Sequence, residues 1–346
     1  MIRRTNLAEK ISNSISQIND KNFQYDGNIS QVISTGSTLL DLAISGGRIR
    51  GGGLLGGIMV EIFGPSGSGK TVMLCEIAGN IQRLGGGILF HDPEARLNTT
   101  FARLFDLQID EMDYTTPDTI PEVFSSIRNW QPNDPTKING IMADSLAALS
   151  TNLEMDNQEG DKMGMRRAKE FSEELRKTAR ILKQKNYLLV ASNQVRINAN
   201  AGMFGQKYVS PGGEAIGFYS SVRLKVNLLE KIKKVVTIKG KQIKKVIGVT
   251  SRIQVFKNSV WAPYREADLT ILFDYGIDDI RENLKFIKQY NGSSVYTFNG
   301  ENLDRSLEKS IQIIEENGWE KDLREQVIDL WELIEKKFAS GRKKER

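Results

Sequence analysis

The sequence predicts an α/β fold built on a mainly parallel central sheet, and three observations predict it. Short apolar runs alternate with helical stretches from Gly57 to about Val226. The first run leads straight into a glycine-rich turn that carries Gly-Lys-Thr. With 39% hydrophobic and 26% charged residues over 346 positions, the chain has enough apolar material for one large core with small attachments. Such a balance excludes a chain that stays disordered for want of apolar surface. A single cysteine, Cys75, forms no internal disulfide, and with one histidine, His91, it cannot complete the usual zinc ligand sets. No apolar run approaches the ~18–20 residues of a membrane span. MIRRTNLAEK opens on polar residues, so a cytoplasmic location with no membrane partner is expected. The 48 basic against 43 acidic residues leave a net charge of only +5, so any polyanion partner must be argued from local clusters.

Along the chain, Leu7, Ile11, Ile15 and Ile18 fall at steps of three to four, which predicts a short amphipathic helix. With the alternating segment around Val32 it makes residues 1–34 an N-terminal arm. A glycine-heavy stretch, Gly46 to Gly57, follows. The runs IMVEIF (58–63), GILFH (87–91), GIMAD (140–144), YLLVAS (187–192) and SVRLKV (221–226) predict buried strands. Continuous apolar residues bounded by turns suit a sheet covered on both faces. Helices are predicted at 70–83, 119–129 and 163–185, and strand, helix, strand in repetition implies right-handed crossovers within a core spanning 35–272. KKVVTIKGKQIKKVIG predicts a lysine-rich hairpin turning at Gly240, followed by a strand SRIQVF. Residues 273–346 predict a small α+β C-terminal domain with a basic tail, GRKKER. It has helices near 278–289 and 321–338 around a strand VYTF, which is bracketed by the turn pairs Asn291-Gly292 and Asn299-Gly300.

Residues 64–71, Gly-Pro-Ser-Gly-Ser-Gly-Lys-Thr, match G-x-x-x-x-G-K-[ST] in full, after one predicted strand and before one predicted helix. Glycines let backbone N–H groups turn inward around phosphates. Lys70 offers a cation to their β and γ oxygens, and Thr71 offers a hydroxyl to Mg²⁺, all at a helix N-terminus. Such a site also needs an acid at the end of a neighbouring strand, and GIMAD supplies Asp144, which read alone also suits a helix N-cap. A second acid that could deprotonate water lies in LFHDPEAR, where Asp92 and Glu94 compete and spacing alone leaves a solvated loop acid equally open. Residue chemistry thus reaches a P-loop NTPase and leaves open what the nucleotide drives.

The series ISTGSTLLDLAISGG (33–47), VEIFGPSGSGKT (60–71), LFHDPEARL (89–97), IMADSLAALS (141–150), LLVASNQVR (188–196), MFGQKYVSPGGEAIGFYSSVRLKV (203–226) and QVFKNSVWAPY (254–264) resembles the bacterial RecA recombinase family, in that family's order. The resemblance implies a RecA-type P-loop NTPase core, with ATP and Mg²⁺ as cofactors. It also implies a DNA-dependent ATPase that forms a helical filament on single-stranded DNA, pairs it with homologous duplex and exchanges strands. The nucleotide-binding set it implies is Gly64, Pro65, Ser66, Gly67, Ser68, Gly69, Lys70, Thr71 and Val72. Thr71 and Asp144 are implied at the metal. Glu94 falls where the family has its catalytic carboxylate, and Gln194 where an amide senses the γ-phosphate. Phe101 stands where the family stacks a tyrosine on adenine, and Asn98 where it has an aspartate.

Two loops are implied to hold DNA. One, about 156–165, leads into a helix with Met163, Arg166, Arg167, Lys169 and Arg176. The other, about 195–212, carries Arg196 and Lys207 and ends at Gly212-Gly213. Arg and Lys neutralise phosphates, a glycine-opened helix start offers N–H groups, and an apolar side chain can wedge between bases. Read without the family, Arg166 and Arg167 belong to a solvated helix face. Phe204 matches a subunit-interface residue, with a core-packed loop aromatic as the alternative, and the N-terminal stripe matches a polymerisation arm. The family reaches across its interface with two lysines; Lys257 keeps one and Ser259 replaces the other, so weaker coupling, or a substitute cation such as Lys225, is expected. The usual acidic tail is replaced by GRKKER, which implies less restrained DNA loading, and the lysine hairpin is longer than the family's.

Overall fold

A computed structural model describes residues 31–151, 163–194, 196–197, 208–209 and 214–342. At its centre is a nine-stranded sheet made of β1 (Met59–Gly64), β2 (Ile88–His91), β3 (Asp113–Thr115), β4 (Asn139–Ala143), β5 (Tyr187–Gln194), β8 (Val222–Ile238), β9 (Lys241–Asn258), β10 (Glu266–Leu272) and β11 (Gly276–Ile277). Two-residue strands β6 (Arg196–Ile197) and β7 (Tyr208–Val209) form a separate antiparallel pair. The order across the large sheet is β11-β10-β9-β8-β1-β5-β4-β2-β3. The stretch from β8 to β3 is parallel throughout, while β8/β9, β9/β10 and β10/β11 pair antiparallel.

Helix α1 (Thr38–Ser45) precedes β1, and α2 (Lys70–Arg83) follows it. They are succeeded by α3 (Thr99–Arg103), α4 (Ile120–Asn129), α5 (Met163–Gln184) and α6 (Glu214–Tyr219). One apolar layer joins α1 and α2 to the sheet through Leu40, Met73, Leu74, Ile77 and Val60, all fully buried. The opposite layer joins α4 and α5 to it through Phe124, Ile127, Phe171 and Leu189. The strands are covered on both faces, which is why they read as unbroken apolar runs. Residues after the sheet form α7 (Asp279–Asn291), β12 (Thr297–Phe298), β13 (Glu301–Asn302), α8 (Leu307–Asn317) and α9 (Glu320–Phe338) around a third cluster. Among the described residues no helix is long and apolar enough to cross a membrane.

Several elements differ from the sequence expectation. SVRLKV and SRIQVF are not separate strands beside a hairpin; they are the roots of one hairpin, β8 and β9, whose outer part is the lysine-rich segment. Asn291-Gly292 is not a strand turn: Gly292, at φ 62, closes α7 as its left-handed cap. Asn299-Gly300 does turn β12 into β13, with both residues at positive φ. The glycine-heavy stretch is preceded by α1, capped by Ser37, whose side chain accepts from Leu40 N–H. Helix α8 was not expected, and α1 contributes Leu42 to the C-terminal cluster, so that part is built partly from the start of the chain. The sheet also runs past residue 272, taking β11 as its edge strand. The N-terminal stripe from Leu7 to Ile18 lies outside the described residues.

Candidate active site

The carboxyl ends of β1, β5, β4 and β2 lie side by side on one edge of the sheet, the usual place for ligands in an open α/β fold. The β1 end opens into the turn 65–69, and α2 starts at Lys70. Gly67 (φ 72) and Gly69 (φ 95) occupy the left-handed region. A Cβ on Gly69 would also stand 2.2 Å from Ile271 Cδ1, but that is the end of a side chain that can shift, so it is the backbone shape that demands glycine there. Gly69 caps α2 without a side-chain bond, leaving first-turn N–H groups open to an anion. Ser68 Oγ donates to the Pro65 carbonyl at 2.8 Å, and Ser251 Oγ from β9 donates to the Ser68 carbonyl at 3.0 Å. The loop is therefore braced from within and by a neighbouring strand.

Lys70 is mostly buried and donates from Nζ to the carbonyls of Gly64 (3.0 Å) and Pro65 (2.8 Å). Burial lowers the ammonium pKa, and the nearby Asp144 carboxylate opposes that shift. Thr71 Oγ1 donates to Asp144 Oδ2 at 2.6 Å, and Ser192 Oγ from β5 donates to Asp144 Oδ1. Asp144 stands one residue beyond β4, with both oxygens held by hydroxyls. Hydroxyl and carboxylate oxygens suit Mg²⁺, a loop of N–H groups with a lysine suits phosphates, and the residues present fit both.

The competition between Asp92 and Glu94 has a geometric reading. Asp92 is buried, and its Oδ2 accepts from the N–H groups of Arg96 and Leu97 (2.8 Å each) and from the Tyr114 hydroxyl (2.9 Å). It is occupied in holding the loop after β2. The Glu94 side chain is 25% exposed and its carboxylate meets Arg96 at 2.9 Å, an ion-pair partner that is itself mostly exposed and so displaceable. Gln194 ends β5 directly beside Gly64 in register. Asn98 caps α3, its Oδ1 accepting from Phe101 N–H at 2.8 Å, and Phe101 packs edge-on against Phe105 at 5.1 Å. Pro65, Ser66 and Gly67 form the exposed crest of the loop, with Val72 half-buried behind it.

The DNA-facing expectations divide. Arg166 and Arg176 are exposed on α5, and Met163 opens that helix. Arg167 is a correction: its Nη2 donates to the carbonyls of Leu146 (3.3 Å) and Ala147 (2.6 Å), turning the guanidinium onto the chain after β4 instead of outward. Arg196 lies in β6, and Lys207, Gly212, Gly213 and Phe204 lie outside the described residues. Lys257 Nζ donates to the carbonyls of Gly217 (2.9 Å) and Phe218 (2.8 Å) in α6; burial lowers its pKa, Arg223 adds to that and Glu61 opposes it.

Ser192, Ser251 and the buried ion pair Glu61–Arg223 (2.6 Å) were not expected. Ser192 and Glu61 had a signal, a polar residue inside an otherwise apolar strand; Ser251 had none, since its role depends on β9 lying beside the loop.

Known proteins resemble this chain over most of its length. The model of the RecA N-terminal domain family matches residues 10–278. Protein RecA of Delftia acidovorans is 31% identical over 294 residues, covering 83% of this chain and 75% of that protein. The crystal structure of the RadB recombinase overlaps 71% of this chain and 98% of its own at 19% identity, with a TM-score of 0.49. Because the family match runs unbroken through the phosphate loop and every strand that borders it, the chain belongs to the RecA family.

Proposed function

We propose that this protein is an ATP-dependent DNA recombinase that assembles on single-stranded DNA and carries out homologous pairing and strand exchange. The observation that carries this reading is the meeting of Lys70, the Thr71–Asp144–Ser192 contact and Glu94 at one sheet edge, in a chain of the RecA family. Bound Mg-ATP supplies the phosphoryl group for transfer to water and the divalent charge beside it. The chain then has three tasks. Lys70 exchanges its loop carbonyls for phosphate oxygens, which compensates a cation already partly desolvated. Thr71 and Asp144 hold the metal side, with Ser192 fixing the carboxylate's orientation. Glu94, released from Arg96, takes the proton of the attacking water. Gln194, beside Gly64 on β5, continues into the 195–212 segment, so contact with nucleotide is transmitted along one strand to a DNA-holding loop.

ATP hydrolysis measured with and without single-stranded DNA tests this, on wild type and Lys70→Ala. Stimulation by DNA in the wild type, and a loss of about 100-fold or more in the variant, are expected. An unstimulated wild type would sink the recombinase reading. It would favour the second one, a weakly hydrolysing RecA-like accessory protein. One observation supports that alternative: Lys257 is engaged with its own α6 carbonyls, and its would-be companion position is the neutral Ser259.

A further inference from the structure

The part of the molecule that the nucleotide site leaves unexplained is the outer half of the β8/β9 hairpin. The β1 pairing with β8 stops at Lys225, and the β10 pairing with β9 begins at Gly248. From Lys231 to Val246 the two strands have only each other. That ribbon is roughly 26 Å long at ~3.3 Å per residue, and nearly every side chain on it is exposed. Lys239 (φ 49) and Gly240 (φ 75) turn it as a two-residue loop with both φ positive, the turn type that matches strand twist and fixes register.

The ribbon carries seven lysines and no acid between positions 231 and 246. Among the described residues none of these lysines has an acidic partner. Register places Lys234 directly opposite Lys245, a like-charge pair that weakens the ladder. One face alternates Lys234, Lys245 and Lys241 with Val236, Ile243 and Ile238; the other sets Lys233 and Lys244 beside Val235 and Val246. The apolar members Val235, Val236, Ile238 and Ile243 are 45–53% exposed. A two-stranded ribbon with two wet faces is marginal in water, and a cross-strand lysine pair makes it worse. An occupant that brings negative charge removes both penalties.

We infer that this ribbon is a duplex-DNA grip, seated in a groove with a phosphate wall on each side. The distribution of charge selects this occupant. A lipid surface asks for lysines on one face and apolar residues on the other, whereas here both faces carry both. A B-form major groove, ~12 Å wide, admits a two-stranded ribbon, and its walls present phosphates to both faces. The choice of duplex DNA rests on the recombinase reading; the polyanion grip itself rests on the hairpin alone.

The test uses the full chain and a variant with Lys233, Lys234, Lys244 and Lys245 all changed to Gln. Affinity for a labelled duplex and for an oligo-dT strand is followed by fluorescence anisotropy across a salt series. Duplex affinity is expected to fall about tenfold or more, with the salt slope reduced by roughly 0.9 for each phosphate that the variant leaves unneutralised. Oligo-dT affinity and DNA-stimulated hydrolysis are expected to stay at wild-type level, and the four-arginine version to restore duplex binding. Wild-type hydrolysis also reports that the variant is folded, and the double change Lys233/Lys244→Gln gives a second, milder readout with about half the slope change. Unchanged duplex affinity and slope would overturn the inference. So would a loss of self-association, or of binding to phosphatidylserine vesicles, with duplex binding intact. If wild type shows no DNA-stimulated hydrolysis while the variant still loses duplex affinity, the recombinase reading fails and the grip stands.

Discussion

Glu76 shows how far a single side chain in this protein departs from its exposed behaviour. It projects from α2 under Gly36, where a Cβ would stand 2.3 Å from its Cγ. Burial, with Asp106, Asp279 and Asp41 adding and Arg83 opposing, pushes its carboxyl up to about 7 from 4.5. A carboxyl raised in the folded state favours folding fully below its unfolded value and loses that contribution as the pH rises through the folded one. Wild type should therefore lose stability between about pH 4.5 and 7, partly through this residue. Glu76→Gln should melt higher than wild type at alkaline pH, and the gap should close as the pH approaches that of the unfolded carboxyl. Thermal melts across that range check it, and a gap independent of pH would refute it. The site's residues were unequally legible at this scale. Lys70, Thr71 and Asp144 announced themselves because phosphate and metal chemistry need those groups at those spacings. Spacing alone leaves Asp92 and Glu94 level, and the family resemblance favours Glu94. What the sequence could not show is that three donors occupy Asp92 Oδ2, one of them from a strand more than twenty residues away.

Elements were most legible where both faces are buried. The helices expected at 70–83, 119–129 and 163–185 are α2, α4 and α5 within a residue or so, since a helix between two core strands shows its period clearly. Short elements such as α1, α3 and β3 were not visible, because their bounds are set by caps and neighbours. Gly79 in α2 shows packing overriding propensity. Alanine there gains about 1 kcal/mol of helix propensity. A Cβ, however, would lie 2.1 Å from the Phe105 carbonyl oxygen, a backbone atom that cannot rotate away. Such overpacking costs about 1–3 kcal/mol, so Gly79→Ala should lower the urea midpoint instead of raising it. A raised midpoint would mean that the chain after α3 yields more easily than its contacts indicate.

At the scale of the whole molecule, the C-terminal helices are tied back to the core by charge as well as by apolar contact. Arg50, within the glycine-heavy stretch, meets Glu325 (2.8 Å), Asp329 (2.7 Å) and Glu332 (3.2 Å) on α9. Arg265 from β10's approach pairs with Glu335 and lies over Trp331. Arg50 is 45% exposed, so each pair is worth only ~0.2–1 kcal/mol. Arg50→Ala should lower the melting temperature by about 2 °C at low ionic strength. The difference should shrink near about 1 M salt, where the Debye length is ~3 Å. A salt-independent difference would assign the role of Arg50 to packing. The sequence by itself determined the α/β core, the phosphate loop and the family, because periodicity and motif spacing are local properties of the chain. Only the tertiary structure decided that Asp92 is tied to its own loop while Glu94 meets an exposed arginine, that Arg167 turns inward, that Ser251 braces the phosphate loop, and that the outer half of the lysine hairpin extends beyond its neighbouring strands. Each of these depends on which distant segments become neighbours, and burial and hydrogen-bond partners are properties of that arrangement.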